Sequence, residues 1–298
     1  MQQVAAVVVT YHPGGDFIDR LNRLAYQVHW LIVVDNNSLP EVIDKLNSYV
    51  YRDPDRKLIC NYTNHGIAKA LNIGIEAARQ LGATWVVTMD QDTIVDDGLV
   101  AELLEGVRQD GQAQDLAIVA ANYIDSTGRP YVPEVDKKSS DRVYEAKTAI
   151  TSGSMVRVEA WQAVGGYRED LFIDSVDHDF CFRVRKAGWR ILQGRRALMH
   201  HQLGDTVRRG WFFGLKPAIA NYGPIRRYYM SRNRVAMFKA HWKFAPIWVT
   251  KELLMIGVDA MLIFLYEKNK LVKVGSMIKG AWFGLWGRMG PYEPTLVK

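Results

Sequence analysis

The chain has 298 residues, 48% of them hydrophobic and 23% charged, with a formal net charge of +6. That balance excludes general disorder and supplies apolar material for a sizeable core, while two cysteines, Cys60 and Cys181, exclude a disulfide framework. The charge is uneven: residues 1–205 carry 22 Lys/Arg against 28 Asp/Glu, a net −6, and residues 206–298 carry 16 against 4, a net +12. An acidic body with a basic, aromatic tail points to a membrane surface ahead of nucleic acid, and no nucleic acid partner is expected. A strand begins soon after Met1 where a signal peptide would lie, so the expected location is cytoplasmic.

The run VAAVVVTY at 4–11 reads as a buried strand, followed by Pro-Gly-Gly and a helical pattern through Leu21, Leu24 and Val28. WLIVVDNNS at 30–38 repeats the theme of apolar strand and polar loop. A short strand near Leu58 to Cys60 precedes a helix marked by Ile67, Leu71 and Ile75 and ended by Gly82. TWVVTMD at 84–90, a helix near 98–109 and LAIVAAN at 116–122 continue the alternation. The fold expected is α/β, with a mostly parallel sheet covered on both faces and ligands beyond the carboxyl ends of its strands. Residues 126–148 read as a mobile loop or hairpin, and RILQGRRALM at 190–199 as a later strand. From about residue 206 long aromatic and basic helical patterns take over, so the expected domains are 1–205 and 206–298.

Asp35, Asp90 and Asp92 fall at strand ends, which the sheet should gather at one rim. In extended chain, residues two apart point the same way, so Asp90 and Asp92 are expected side by side. Two carboxylates ~5 Å apart repel by about 3 kcal/mol at an effective dielectric of 20, and a shared cation would relieve that. Oxygen ligands suit Mg²⁺ or Mn²⁺ bound together with a substrate diphosphate. A solvated Asp-rich turn is the plain alternative. Asp96 and Asp97 are expected to cap the helix that starts near Gly98.

The ordered set VVVTYHP, VVDNNS, NHGIAKALNIGI, MDQD, TSGSMVR, FIDSVDHDFCFR and HHQLGD resembles glycosyltransferase family 2, inverting enzymes of the GT-A nucleotide-diphospho-sugar transferase fold, and within it the bacterial rhamnosyltransferases. The resemblance spans roughly residues 4–235. It implies that Asp35 hydrogen-bonds a nucleobase N3–H, with Thr10 and Tyr11 lining the nucleoside pocket. Asn64 and Gly66, before a helix, would face an anion, although capping explains Asn64 as well. Asp92 becomes the principal metal ligand, Asp90 lies nearer the ribose or binds through water, and His201 completes the site, His200 being its neighbour. Asp177 takes the catalytic base position; Val176 stands where many relatives carry Glu. Asp174 shares its helical face by i, i+3 spacing and would bind acceptor or begin the helix. Gly153, in TSGSM, is expected in a loop that lets an acceptor sugar approach, or in a plain turn. Arg232 would face a diphosphate, or else lipid or solvent.

The reaction implied is a single displacement from dTDP-β-L-rhamnose to an α-L-rhamnoside on a polyprenyl-diphosphate-linked saccharide, as in O-antigen assembly. A UDP-hexose or UDP-N-acetylhexosamine donor is the alternative, and a non-catalytic sugar-nucleotide-binding protein is the alternative from another class. LLMIGVDAMLIFLY at 253–266 is too short for a bilayer span of ~20 apolar residues. It reads as a buried helix or as an interfacial one flanked by lysines and tryptophans, which would attach the protein peripherally to the anionic inner face of the cell membrane.

Overall fold

The computed structural model describes residues 3–125, 128–133, 142–200, 207–209 and 218–293. The chain divides into two compact units, Met1–Arg168 with Val176–Gln202, and Glu169–Ser175 with Leu203–Lys298.

In the first unit, strands β1 (Val4–Thr10), β2 (Trp30–Asp35), β3 (Arg56–Cys60) and β4 (Trp85–Asp90) lie parallel in the order β3-β2-β1-β4. Every residue of β1 is buried, because helices cover both faces. Val4, Ala6 and Val8 join the core formed with α1 (Phe17–Ala25), α2 (Pro40–Val50) and α4 (Leu99–Asp110). Val7 points the opposite way, toward Gly74 of α3 (Gly66–Gln80). The continuous apolar runs thus follow from two-sided burial.

Beyond β4 the sheet is mixed instead of parallel. β8 (Ser154–Arg157) runs antiparallel between β4 and β6 (Leu116–Ile124), and β9 (Arg190–His200) runs parallel to β6. Parallel neighbours need a crossover, usually a helix. Between β6 and β8 there is no helix among the described residues. Short strands β5 (Ile94–Val95) and β7 (Val143–Glu145) pair antiparallel with β9. Part of the segment expected as loop or hairpin is therefore ordered: Pro130 bridges Ile124, and Tyr131 stacks on Tyr123 at 5.0 Å. Helices α5 (Val158–Ala163) and α6 (Val176–Lys186) complete this unit.

The second unit holds a small pair, β10 (Val207–Arg209) and β11 (Ala218–Ala220), and three helices, α7 (Pro224–His241), α8 (Pro246–Tyr266) and α9 (Lys270–Trp286). α7 and α9 approach so closely that a Cβ at Gly280 or Gly284 would run into the carbonyls of Tyr228 or Arg232. Among the described residues no helix is long and apolar enough to cross a membrane.

Gly74 sets the seating of α3 on the sheet, since a Cβ there would strike Val7 and Val34. Gly74→Leu is expected to destabilise the protein by about 1–3 kcal/mol through overpacking, measured as a lowered denaturant midpoint.

Candidate active site

Pairing of Thr10 with Asp35 and of Val9 with Asp90 ends β1, β2 and β4 almost flush. The turns that follow form one rim, the position at which open α/β sheets bind ligands. At that rim Asp35 is fully buried: Thr10 Oγ1 donates to Oδ2 at 2.7 Å and the Ser38 N–H to Oδ1 at 2.7 Å. The carboxylate expected to meet a nucleobase N3–H is thus held within the rim by Thr10 and Ser38. It caps the β2 turn and joins β2 to β1, and Thr10, 1% exposed, is engaged with it. Tyr11, 46% exposed, is the residue of this group that reaches the surface.

Tyr11 is held by a residue that sequence reasoning missed. Gln91, between the two acids, accepts from the Tyr11 N–H at 2.7 Å and donates to the Tyr11 carbonyl at 3.1 Å. Its amide extends the β1–β4 pairing one step past the strands. Asn36 acts likewise on the other side, donating to Gly66 O at 3.0 Å and accepting from Asn61 Nδ2 at 2.9 Å. Asn64 accepts from the Gly66 N–H at 2.8 Å, and Gly66, at φ +80°, opens α3 in a conformation that glycine tolerates best. Asn64 thus forms the turn that leads into α3, whose N-terminus lies at this rim.

The acidic turn differs from the extended geometry expected. β4 stops at Asp90 and the Thr93 N–H returns to the Asp90 carbonyl at 3.3 Å, so strand alternation does not align the two carboxylates. They sit two residues apart on one turn, Asp90 partly buried and Asp92 exposed. Ser152 supports it, accepting from the Asp90 N–H at 3.2 Å and bonding the Thr93 hydroxyl at 2.7 Å. Gly153 next to it is buried at φ +77°, where a Cβ would collide with Met199. The TSGS loop, expected to admit an acceptor sugar or to be a plain turn, is thus a mount for the acidic turn, with Met199 packed against Gly153. The N-cap of α4 is Gly98, in the left-handed region, and the Leu99 N–H meets the Asp96 carbonyl at 3.4 Å.

β5 follows the turn and pairs Ile94 with His200 at the end of β9, which brings His200, exposed, beside the acidic segment. His201 lies outside the described residues. Among those residues there is no group of three His, Cys, Asp or Glu placed to hold a metal. Two carboxylates on one exposed turn suit a cation shared with a diphosphate and water; they do not make an all-protein cage.

Asp177 lies in the first turn of α6, its side chain 20% exposed. Its Oδ1 accepts from the His178 backbone N–H at 2.8 Å and bonds His178 Nδ1 at 2.9 Å. Burial pushes its carboxyl up, but the His178 ring and the neighbouring N–H groups outweigh this, and the pKa lies below the usual carboxylate value. His178 thus supplies an interaction that Val176 cannot. The signal was a histidine directly after an acid at a helix start. Asp179 and Arg183 form the i, i+4 pair at 2.7 Å. Cys181 Sγ accepts from the Ala149 N–H at 3.3 Å, tying α6 to the strand of chain that leads into the TSGS loop.

Asp174 precedes α6, at φ +64°, and does not share its helical face. Within the second unit its carbonyl accepts from Asn233 at 2.8 Å and its carboxylate from Arg226 at 3.2 Å. Arg232 is fully buried. It donates to Asn233 Oδ1 at 3.0 Å, to the carbonyls of Asp170 and Leu171 at 3.0 and 2.7 Å, and to Gly290 O. With those bonds Arg232, expected to face a diphosphate or else lipid or solvent, clamps Asp170, Leu171 and Gly290 to α7.

Residues 7–165 match the family described as Glycosyl transferase family 2. The chain is 28% identical over 301 residues to the dTDP-rhamnosyl transferase RfbF of Shigella flexneri, covering 96% of this chain and 97% of that protein. Among solved structures, GalNAc-T7 with UDP, GalNAc and Mn²⁺ aligns at a TM-score of 0.63 and 13% identity over 96% of this chain; the chain spans 56% of its length. Staphylococcus aureus TarS 1–349 in complex with UDP-GlcNAc aligns at 0.55 and 14% identity, covering 96% of this chain and 91% of that one.

Removing the His178 ring leaves the burial of Asp177 less opposed. In His178→Ala the Asp177 carboxyl is expected to titrate at higher pH than in the wild type, followed by carboxyl ¹³C NMR. The sign carries over to stability. A depressed pKa contributes stability present above the unfolded value of about 3.9 and lost as pH falls through the folded value, so His178→Ala should be less stable at neutral pH and less sensitive to acid.

Proposed function

This chain belongs to glycosyl transferase family 2 and has the GT-A fold, and on that premise we propose that it transfers L-rhamnose from dTDP-β-L-rhamnose, with inversion, to a lipid-linked saccharide in surface polysaccharide assembly. The observation that carries the donor is the likeness to a dTDP-rhamnosyl transferase across nearly the whole of both chains. The nucleoside diphosphate is assigned to the rim, with Tyr11 at its exposed edge and the Asn64–Gly66 turn toward the phosphates. Thr10 and Asp35 act from beneath as positioning residues. Asp90 and Asp92 would hold Mg²⁺ or Mn²⁺, with His201 as a further ligand, and the ion would neutralise charge on the departing diphosphate.

Asp177 is the base in this reading. It is ionised at neutral pH and partly exposed, so it can take the proton of an acceptor hydroxyl as that oxygen attacks the anomeric carbon. His178 holds one carboxylate oxygen and fixes the rotamer, leaving the other to the proton. A single displacement inverts the anomeric centre and gives an α-L-rhamnoside. The basic second unit, with exposed Trp242, Trp282 and Trp286, supports peripheral attachment to an anionic membrane from the cytoplasmic side.

Asp177→Asn is expected to lower kcat by about 10²–10⁴-fold while donor affinity, measured by calorimetry, stays unchanged; near wild-type turnover would remove Asp177 from the role of base. A donor panel read by mass spectrometry should show transfer from dTDP-rhamnose above UDP-glucose, UDP-galactose and UDP-N-acetylglucosamine. Chelation of divalent metal should abolish transfer and weaken donor binding, both restored by Mn²⁺ or Mg²⁺. Full activity after chelation would dismiss the metal at Asp92.

A further inference from the structure

Helix α8 is built inside out for a helix in water. Glu252 and Asp259, seven residues apart and so on one face, turn toward α7, where Arg234 bonds them at 3.2 and 2.5 Å and Arg227 lies 3.6 Å from Asp259. Of its 21 residues only Val249, Leu262 and Ile263 are buried apolar ones. Ile247 and Leu254 stand 86% and 69% exposed. Acids inward and hydrocarbon outward, with Lys251 exposed, is the arrangement that contact with an anionic lipid surface favours.

Between α7, α8 and α9 runs a groove of about 620 Å³, with Val235 and Phe238 on one side, Leu253 and Ile256 on the second and Met277 and Trp282 on the third. The volume lies in the range of ~300–1,000 Å³ usual for ligand sites. Such sites normally add a few polar groups that orient a ligand; here Lys239 alone among the lining residues is charged. Neither a sugar nor a nucleotide would find partners there, whereas a hydrocarbon chain needs none. Trp282 and Trp286, rings 5.6 Å apart and more than half exposed, edge the same face of α9 and suit the headgroup level of a bilayer.

Charge selects an anionic lipid. Residues 218–293 hold 12 Lys/Arg and 4 Asp/Glu. Three of those acids, Glu252, Asp259 and Glu267, are paired with Arg234, Arg227 and Lys273. Exposed Lys239, Lys243, Lys268 and Lys270 therefore present positive charge outward, complementary to a diphosphate. We propose that this groove holds the hydrocarbon chain of the diphosphate-linked lipid acceptor. The proposal rests on the lipid-acceptor reading above and adds to it a chain-binding site remote in sequence from the acidic turn.

The test uses the full chain with Ala281→Phe and, separately, Ala260→Phe, which fill the groove with apolar volume. Two acceptors carry the same saccharide diphosphate, one on an undecaprenyl chain and one on an octyl chain. KM for the undecaprenyl acceptor is expected to rise at least tenfold in each variant, with KM for the octyl acceptor changed less than twofold. Equal effects on both acceptors, or none on either, would overturn the proposal. A second measurement, energy transfer from tryptophan to anthroyloxy-labelled undecaprenyl phosphate, should show saturable binding that the variants lose. Undiminished probe binding, or a wild-type dimer by sedimentation that the variants convert to monomer, would overturn it too, the latter assigning the groove to a second copy. Absence of transfer to either acceptor alongside saturable probe binding would count against the acceptor reading and leave the lipid site standing.

Discussion

The rim exists because β1 is paired in parallel with both β2 and β4 in a register that ends the three strands within one residue of each other. Two-sided burial enforces that register. A slip of one residue would exchange Val7, which faces α3, with Val4, Ala6 and Val8, which face α1, α2 and α4. Once the ends are flush, backbone pairing reaches little further, with the Asn36 N–H on the Thr10 carbonyl and the Asn61 N–H on the Asp35 carbonyl, both at 2.8 Å, and side-chain amides take over. Gln91 pairs with both polar atoms of Tyr11, Asn36 binds Asn61 and Gly66, and Ser152 supports Asp90. Short hydrogen-bonding side chains thus convert the end of a sheet into a set of fixed turns.

The same economy explains why several polar residues are sealed. Asp35 and Arg232 are both fully buried, and a buried charge is tolerated only when its hydrogen-bonding capacity is met. Asp35 receives a hydroxyl and a backbone N–H from its own rim. Arg232 gathers three carbonyls and an amide oxygen, with the Tyr229 ring 4.8 Å from its guanidinium carbon. Asp35 holds the turn after β2 through Ser38, and Arg232 holds Asp170, Leu171 and Gly290, so their substitution acts on these irregular segments first. Asp177 is the contrasting case: it keeps partial exposure, and its close side-chain partner among the described residues is a histidine adjacent in the chain.

The apolar strands, the helices between them and the position of Asp35 and Asp90 at strand ends were legible in the sequence, because continuous burial leaves a strong compositional trace. The antiparallel entry of β8 was not, since four residues after a glycine turn carry no directional signal. Side-chain pairing also escaped. Gln91 reads as a spacer between two aspartates until the sheet sets it beside Tyr11, 80 residues away. Gly153 reads as room for a ligand until Met199 is seen to occupy that room. Spacing tells which residues share an element; it does not tell which long-range partner has already claimed a donor or a surface.

The segment 253–266 shows why the sequence left two readings open for the tail. Hydropathy alone offers burial or membrane contact, and Asp259 in its middle weakens both. Within α8 that aspartate, together with Glu252, meets Arg234 on α7, so the charge that forbids a bilayer span is what docks the helix. With its polar face used in this way, only Val249, Leu262 and Ile263 of the apolar remainder are fully buried among the described residues. Ion pairing at one face and hydrocarbon at the other are then two consequences of one packing choice. Exposed Lys239, Lys243, Lys268 and Lys270 add positive charge to the same helical unit, which an anionic surface would attract.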